Sequence, residues 1–337
     1  MTSRERCLAS IAGTAPDRTP VFPLLMFFAQ QRAGITYREF ATNGLALADA
    51  QGAIRARFPV DALTVCSDAF RLPADLGADM AFPDDKPPYA KNRLIRDAAD
   101  LRKLGRPDPA AVGSRMADRL LGVRELARGA GRDCLVVGWV DMPFAEACSL
   151  VGLTEFMLLL VDEPALAHRI LEWISVRVID FAVAQVEVGA PLIGAGDAAA
   201  SLVSPEQYRE FVLPYEQRVS EAIHAAGGLV KLHICGQTTH LLEDMVTSGA
   251  DLSNVDHLVP FEAACKVYGR HGLCFKGNLD PVAEMMQSTP EACSQKCKSL
   301  IRKARGLRFM LSPGCEVPAA TSDAVFMAFC RSAGAGG

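Results

Sequence analysis

The 337-residue sequence has no apolar run long enough to cross a bilayer, so a helical membrane span is not expected. It has no excess of one charge. The formal net charge is only −4, so neither nucleic acid nor an anionic membrane surface is an expected partner. The opening residues, Met1-Thr2-Ser3-Arg4-Glu5-Arg6, lead into an apolar patch that breaks at Gly13 and Pro16, too short for an export signal. No internal repeat or low-complexity stretch stands out. The 11 cysteines are odd in number and lack framework spacing, which argues against a disulfide scaffold. With no export signal, a reducing, cytoplasmic setting is expected. Most of these cysteines then read as small buried hydrophobes.

What is present is enough apolar residue, 50% of the chain, to bury a large core. Short apolar runs at 21–26, 61–66, 134–140, 191–197, 229–236, 251–256, 273–278 and 308–315 read as eight strands. Helical patterning fills the intervals: 3–12 (capped by Ser3), 36–58, 97–104, 114–130, 143–160, 164–187, 204–226, 237–248, 261–268, 290–304 and 318–331. Ser204-Pro205-Glu206-Gln207 is the clearest helix start, with Ser as cap and Pro at the first helical position. The alternation predicts an α/β fold, a (β/α)8 TIM barrel. It is a single domain over 1–337 with an N-terminal helical extension, a long Pro-, Asp- and Gly-rich insertion at 69–95 after strand two, and a flexible tail at 333–337. An open doubly wound sheet is the alternative.

A barrel places its active site at the C-terminal strand ends. His233 and Cys235 close the fifth strand two residues apart and so point to one side. Cys315 follows Pro313-Gly314 at the end of the eighth. An imidazole and two thiolates form a zinc-binding set, and three protein ligands leave a fourth position open, as in catalytic sites. Ordinary packing explains any one of these residues alone; their spacing and shared place at strand ends favour the metal. Asp256, beside His257 at the end of strand six, is a candidate fourth ligand or the acceptor that holds the other nitrogen of His233, with a loop cap as the plainer role.

Four further residues are candidates to touch substrate: Asp68 after strand two, Glu146 after strand three, Asp197 after strand four and Asn278 after strand seven. Asp141 is placed like Glu146. Each could equally cap a turn. Asp280-Pro281 reads as a helix start. Gly194-Ala195-Gly196-Asp197-Ala198-Ala199 fits a dinucleotide fingerprint, but the next helix starts only at Ser204-Pro205, too far on to receive a pyrophosphate. Basic residues do not cluster at the strand ends, so no phosphate cradle is expected.

Leu232-His233-Ile234-Cys235-Gly236, Gly277-Asn278-Leu279-Asp280-Pro281 and Ser312-Pro313-Gly314-Cys315 resemble the uroporphyrinogen decarboxylase superfamily, specifically its zinc- and corrinoid-dependent methyltransferase branch. That branch includes methylcobalamin:coenzyme M methyltransferases and related demethylating enzymes. Arg4-Glu5-Arg6, Pro16-Asp17-Arg18-Thr19-Pro20-Val21 and Ser204-Pro205-Glu206-Gln207-Tyr208 are also similar to it, so the likeness covers nearly the whole chain. The resemblance implies a barrel with His233, Cys235 and Cys315 as ligands of Zn²⁺. It implies methyl transfer between a corrinoid such as methylcobalamin, supplied by a partner corrinoid protein, and a small thiol or methylated substrate. No corrinoid-binding Asp-x-His-x-x-Gly motif is present, so the chain does not resemble the usual carrier. A zinc-free decarboxylase is the alternative. It would be expected to carry an Arg-Gln-Ala-Gly-Arg-type motif, whereas Gln30-Gln31-Arg32-Ala33-Gly34 has Arg32 as its lone charge. A homodimer is left open.

Overall fold

Short runs rich in Val, Leu and Ile, buried on both faces, suit the strands of a parallel sheet covered by helices. The computed structural model describes residues 1–334. Its strands are β1 (Ala62–Thr64), β2 (Met80–Ala81), β3 (Tyr89–Ala90), β4 (Leu135–Asp141), β5 (Leu192–Gly196), β6 (Leu229–His233), β7 (Leu252–Asn254), β8 (Cys274–Leu279) and β9 (Phe309–Pro313). β2 and β3 make a small antiparallel hairpin; the other seven form one parallel sheet in the order β1-β4-β5-β6-β7-β8-β9. Helices return the chain between them, so the fold is a TIM-barrel-like α/β structure.

The eighth expected strand, 21–26, is reduced to isolated bridges from Val21 to Leu311 and from Leu24 to Glu316. Its backbone still closes the sheet. Leu311 N donates to Pro20 O (2.8 Å) and Phe22 N to Leu311 O (3.0 Å), while Asp61 N donates to Val21 O (2.8 Å). This segment therefore joins β9 to the start of β1, which removes the open-sheet alternative. Pro20 and Pro23 lack amide protons, so regular pairing cannot extend through them.

The helix Ser3–Ala12 plugs the N-terminal end of the barrel, packing Cys7 and Ile11 against Leu135, Leu192, Leu252 and Met310. Its cap is Thr2 in a reciprocal capping box with Glu5, one residue earlier than the expected Ser3. Asp61, fully buried beside β1, fastens this extension. Its carboxylate accepts from Arg6 Nη1 (2.7 Å), Arg18 Nη1 (2.8 Å) and Val21 N (2.7 Å).

Above that apolar floor lies a polar layer. Lys276 Nζ donates to Phe22 O and Ser312 Oγ (both 2.8 Å), and Lys231 Nζ sits 4.4 Å from the centre of the Trp139 ring. Burial pushes the Lys231 ammonium down to about 8. Trp139 explains the Gly194-x-Gly196 pattern. A Cβ on Gly194 would meet the indole at 2.4 Å, so that position must be bare, and one on Gly196 would make a tight 3.2 Å contact with the same ring.

Several expected helices are shorter than their periodicity implied. The 36–58 pattern divides into Tyr37–Thr42 and Gly44–Arg57, because Asn43 caps the second by accepting from Leu45 N and Ala46 N. The 143–160 pattern divides at Gly152 into Pro143–Val151 and Leu153–Asp162, bent by 108°. The 237–248 stretch is only a 3-10 turn, Thr239–Leu241, followed by Leu242–Met245. The 69–95 excursion carries the helix Arg71–Asp75 and the β2–β3 hairpin. At the C-terminus Ala333 is packed as the cap of Asp323–Ser332, so the expected tail does not begin there; 335–337 lie outside the described residues. No single described helix is long and apolar enough to cross a membrane.

Candidate metal centre

β6 ends at His233, and its parallel register sets His233 opposite Asn254 of β7. That register fixes the imidazole: Nδ1 lies 3.2 Å from the carbonyl oxygen of Asn254, so Nδ1 carries the proton and donates it. Nε2 is then an acceptor turned toward the mouth. The chain leaves the strand through Ile234, and Cys235 brings its Sγ to 3.2 Å from His233 Nε2. Gly236 follows at φ +94, a left-handed conformation that lets the turn reverse. Cys315 arrives from the end of β9, with Sγ 3.8 Å from Cys235 Sγ. The three donor atoms lie within 4.8 Å of one another, and among the described residues no other group of His, Cys, Asp or Glu is arranged in this way.

The spacing can be tested against a tetrahedral cation. Bond lengths typical of zinc give sulfur–sulfur separations of about 3.8 Å and sulfur–nitrogen separations of about 3.6 Å. The observed 3.8 Å and 3.2 Å fit after a small adjustment of the imidazole. Proton affinities point the same way. The hydrogen bond from Cys235, then the neighbouring His233, pull the Cys315 thiol down, and Cys235 is pushed up in return. A dication bound there would hold both sulfurs as thiolates.

Cys235 and Gly236 form part of the wall of a cavity of about 970 Å³ at the barrel mouth. Phe70, Ala145, Leu153 and Leu202 give it an apolar lining, and Lys91, Arg93 and Arg96 stand on its rim. Those cations leave the expectation of no basic cluster at the strand ends as it stood. They come from the excursion after β1 rather than from strand ends, so strand-end scanning missed them.

The structure places Asp256 outside the donor cluster. Its Oδ1 accepts from Leu258 N (2.9 Å) and lies 3.1 Å from His257 Nδ1. The acceptor for His233 is thus the Asn254 carbonyl, not a carboxylate, because strand register delivers that oxygen directly. Asn278 spends its amide on a loop, donating to Asp256 O (3.1 Å) and Val259 O (2.7 Å). Asp280 caps the turn Pro281–Met286, as expected.

The acids form a second group, beyond the ends of β1, β4 and β5. Asp68 is gripped by both terminal nitrogens of Arg115 at 2.8 Å; burial alone would raise it, but Arg115 holds it well below the usual carboxylate range. Arg71 pairs with Asp141, which burial pushes up to about 6 despite that partner. Asp141 lines the cavity; Asp68, Glu146, Asp197 and Asn278 do not. Burial, then Asp141, drive Glu146 well up, and its Oε2 has no partner among the described residues. Asp197 accepts from Ala145 N (2.8 Å) through Oδ1, and its other oxygen faces Glu216. Burial pushes Glu216 up to about 7, while Tyr208 donates to its far oxygen. Asp197 and Glu216 are partnered only when one proton lies between them.

With this geometry in place, comparison with known proteins adds the family. The profile described as uroporphyrinogen decarboxylase (URO-D) matches residues 2–335. The chain belongs to the uroporphyrinogen decarboxylase family. Curated uroporphyrinogen decarboxylases are similar to it: that of Myxococcus xanthus is 28% identical over 279 residues, covering 80% of this chain and 78% of its own. That of Xanthomonas euvesicatoria is 27% identical over 325 residues, covering 91% and 89%. Among solved structures, a methyltransferase from Methanosarcina mazei superposes with a TM-score of 0.90 at 21% identity, covering 99% of this chain and 98% of that one. A B12-independent methionine synthase from a Shewanella species superposes with a TM-score of 0.59 at 10% identity, covering 94% and 96%. At these identities the structural likenesses establish the shared fold.

In this member of the uroporphyrinogen decarboxylase family the lone charge of the 30–34 stretch, Arg32, does not line the mouth cavity. Arg32 is bound to Asp323 and to the carbonyl oxygens of Ala319 and Thr321 at the edge of the last helix. Glu316, next to Cys315, went unnoticed in the sequence, where an acid after a turn carries no signal; its carboxylate accepts from Phe27 N.

Proposed function

We propose that this protein is a zinc-dependent methyltransferase. It would move a methyl group between a corrinoid, carried by a partner protein, and a small thiol or methylated substrate in the mouth cavity. The observation that carries the reading is the sulfur–sulfur separation of 3.8 Å between Cys235 and Cys315, with His233 Nε2 at 3.2 Å, the donor set and spacing of a three-ligand zinc site. His233, Cys235 and Cys315 would hold the ion, and the fourth position would lie on the cavity side, where Cys235 is exposed to it. When bound, zinc supplies Lewis acidity, lowering the pKa of a thiol or polarising the atom that bears a methyl group.

The chain's own residues do the rest. The Asn254 carbonyl keeps the Nδ1 proton of His233 in place and leaves Nε2 free to ligate. Phe70, Leu153 and Leu202 would give the substrate an apolar surface near Cys235. The reaction balances without another reactant. The corrinoid would supply or accept the methyl as CH₃⁺, with the electron pair of the cobalt–carbon bond staying on or coming from cobalt; a thiolate would take the methyl, or the leaving heteroatom of an ether or amine would take a proton. The cavity, about 970 Å³, has room for a small substrate beside Cys235.

A second reading, a zinc-free decarboxylase, is favoured by the curated relatives' names and by Lys91, Arg93 and Arg96 on the rim, which could face carboxylates. Against it, Arg32 is engaged by Asp323 and does not line the mouth cavity. The deciding experiment is metal content of untagged, reduced protein, wild type and Cys315→Ala, followed by assays with methylcobalamin plus a panel of thiols, and with uroporphyrinogen. About one zinc per chain, lost in the variant, together with methylcobalamin consumption, supports the methyltransferase. Metal-free wild type that consumes uroporphyrinogen overturns it.

A further inference from the structure

Cys315 reaches the donor cluster on a turn held at two points. On one side Gly314 N donates to Leu279 O (2.8 Å), and Gly314 O accepts from Asn254 Nδ2 (3.1 Å), which ties the turn to β8 and β7. The chain passes so close there that a Cβ on Gly314 would lie 2.2 Å from His257 N. On the other side the turn runs beside the remnant of the missing strand. Leu24 and Glu316 bridge in parallel, and Val317 N donates to Leu24 O (3.1 Å). The Glu316 side chain completes this second hold, because its Oε1 accepts from the amide of Phe27. Phe27 opens the helix Phe27–Ala33, and Met26 at its cap position offers no side-chain acceptor. The Phe27 amide therefore has Glu316 as its side-chain partner, and Glu316 is anchored one residue from a sulfur whose place the metal site depends on.

We propose that Glu316 is a positioning residue: by accepting the Phe27 amide it holds Cys315 Sγ at its 3.8 Å distance from Cys235. It is not a ligand, since its carboxylate lies outside the donor cluster. The proposal rests on the zinc reading above. The role requires a hydrogen-bond acceptor at that place, not a charge. Glutamine satisfies the requirement and alanine does not. The same contact can be cut from the other partner, because proline at the first residue of a helix removes an amide proton without breaking the helix.

The test is zinc affinity by competition with a chromophoric chelator, together with the thiolate-to-cobalt absorption of Co²⁺-substituted protein. The samples are wild type, Glu316→Ala, Glu316→Gln, Phe27→Pro and the Glu316→Ala/Phe27→Pro double variant. Glu316→Ala is expected to bind zinc about 10- to 100-fold more weakly, with a diminished thiolate absorption. Glu316→Gln should stay close to wild type. Phe27→Pro should weaken zinc in the same direction as Glu316→Ala, and the double variant should lose less than the sum of the two single changes, since both cut the Phe27 contact. Should Glu316→Ala not fold, Phe27→Pro and Glu316→Gln still decide the matter. Wild-type affinity in Glu316→Ala or Phe27→Pro, or an equal loss in Glu316→Gln, overturns the positioning role while leaving the zinc site standing. A wild type that binds no zinc overturns both.

Discussion

The two ends of the barrel both bury carboxylates, and they treat them in opposite ways. At the floor, Asp61 is fully buried and fully partnered, by two arginines and a backbone amide. At the mouth, Glu146, Asp197 and Glu216 are equally buried, yet each leaves an oxygen without a donor. A buried ion pair is costly to break from one side, because the remaining charge stays in a poorly solvating place. A buried, unpaired carboxyl avoids that cost by keeping its proton, which is why the mouth acids are pushed up while Asp68, beside Arg115, is held down. The floor is built for stability. The mouth end leaves acceptors unsatisfied.

The sharpest way to break this contrast is at the floor. Asp61→Ala leaves Arg6 and Arg18 without their shared acceptor, and we expect it to cost about 3–5 kcal/mol of unfolding free energy. Urea denaturation measures it. A cost below about 1 kcal/mol would show that the floor pairs are no more valuable than surface ones.

A smaller effect on stability, with a larger one on the metal, is expected at the mouth. Gly314→Ala drives a Cβ into the His257 backbone and should cost about 1–3 kcal/mol while shifting Cys315 and weakening zinc. Zinc affinity unchanged in a destabilised Gly314→Ala would mean that the turn can yield without moving the sulfur.

The smallest effect concerns the mouth acids. Glu216 has a folded value of about 7, above its ordinary 4.5, so the folded state binds the extra proton between those values. Stability from this group is complete below pH ~4.5 and is lost as pH rises through about 7. Glu216→Gln removes that titration but can still accept from Tyr208. The fall in stability between pH 5 and pH 8 should therefore shrink by about 1–3 kcal/mol in the variant. Thermal melts at both pH values check this; an equal fall in wild type and variant would mean that Glu216 is ionised in the folded protein.

Much of the architecture was legible along the chain because apolar runs and helix caps are local signals. The runs at 134–140 and 229–236 correspond to β4 and β6, and Ser204 caps its helix through Gln207 as its pattern implies. The helix breaks at Asn43 and Gly152 were not seen, because apolar periodicity continues across both. The failure of 21–26 to form a full strand follows from Pro20 just before it, Pro23 within it and its place as the closing seam.

The sequence by itself determined the chemistry that could be assembled. A His-x-Cys strand end and a Pro-Gly-Cys strand end are set by local spacing, and spacing is written in the chain. Only the tertiary structure decided which other groups serve that chemistry. The Asn254 carbonyl acts through strand register, Glu316 through a seam nearly the whole chain length away, and the rim cations through an excursion folded over the mouth. Asp68 and Asn278, placed by sequence at the mouth, are spent on Arg115 and on a loop. The physical reason is one of range. Side-chain direction along a strand repeats every two residues and can be read locally, whereas a hydrogen-bond partner is chosen by whatever the closed barrel brings within about 3 Å.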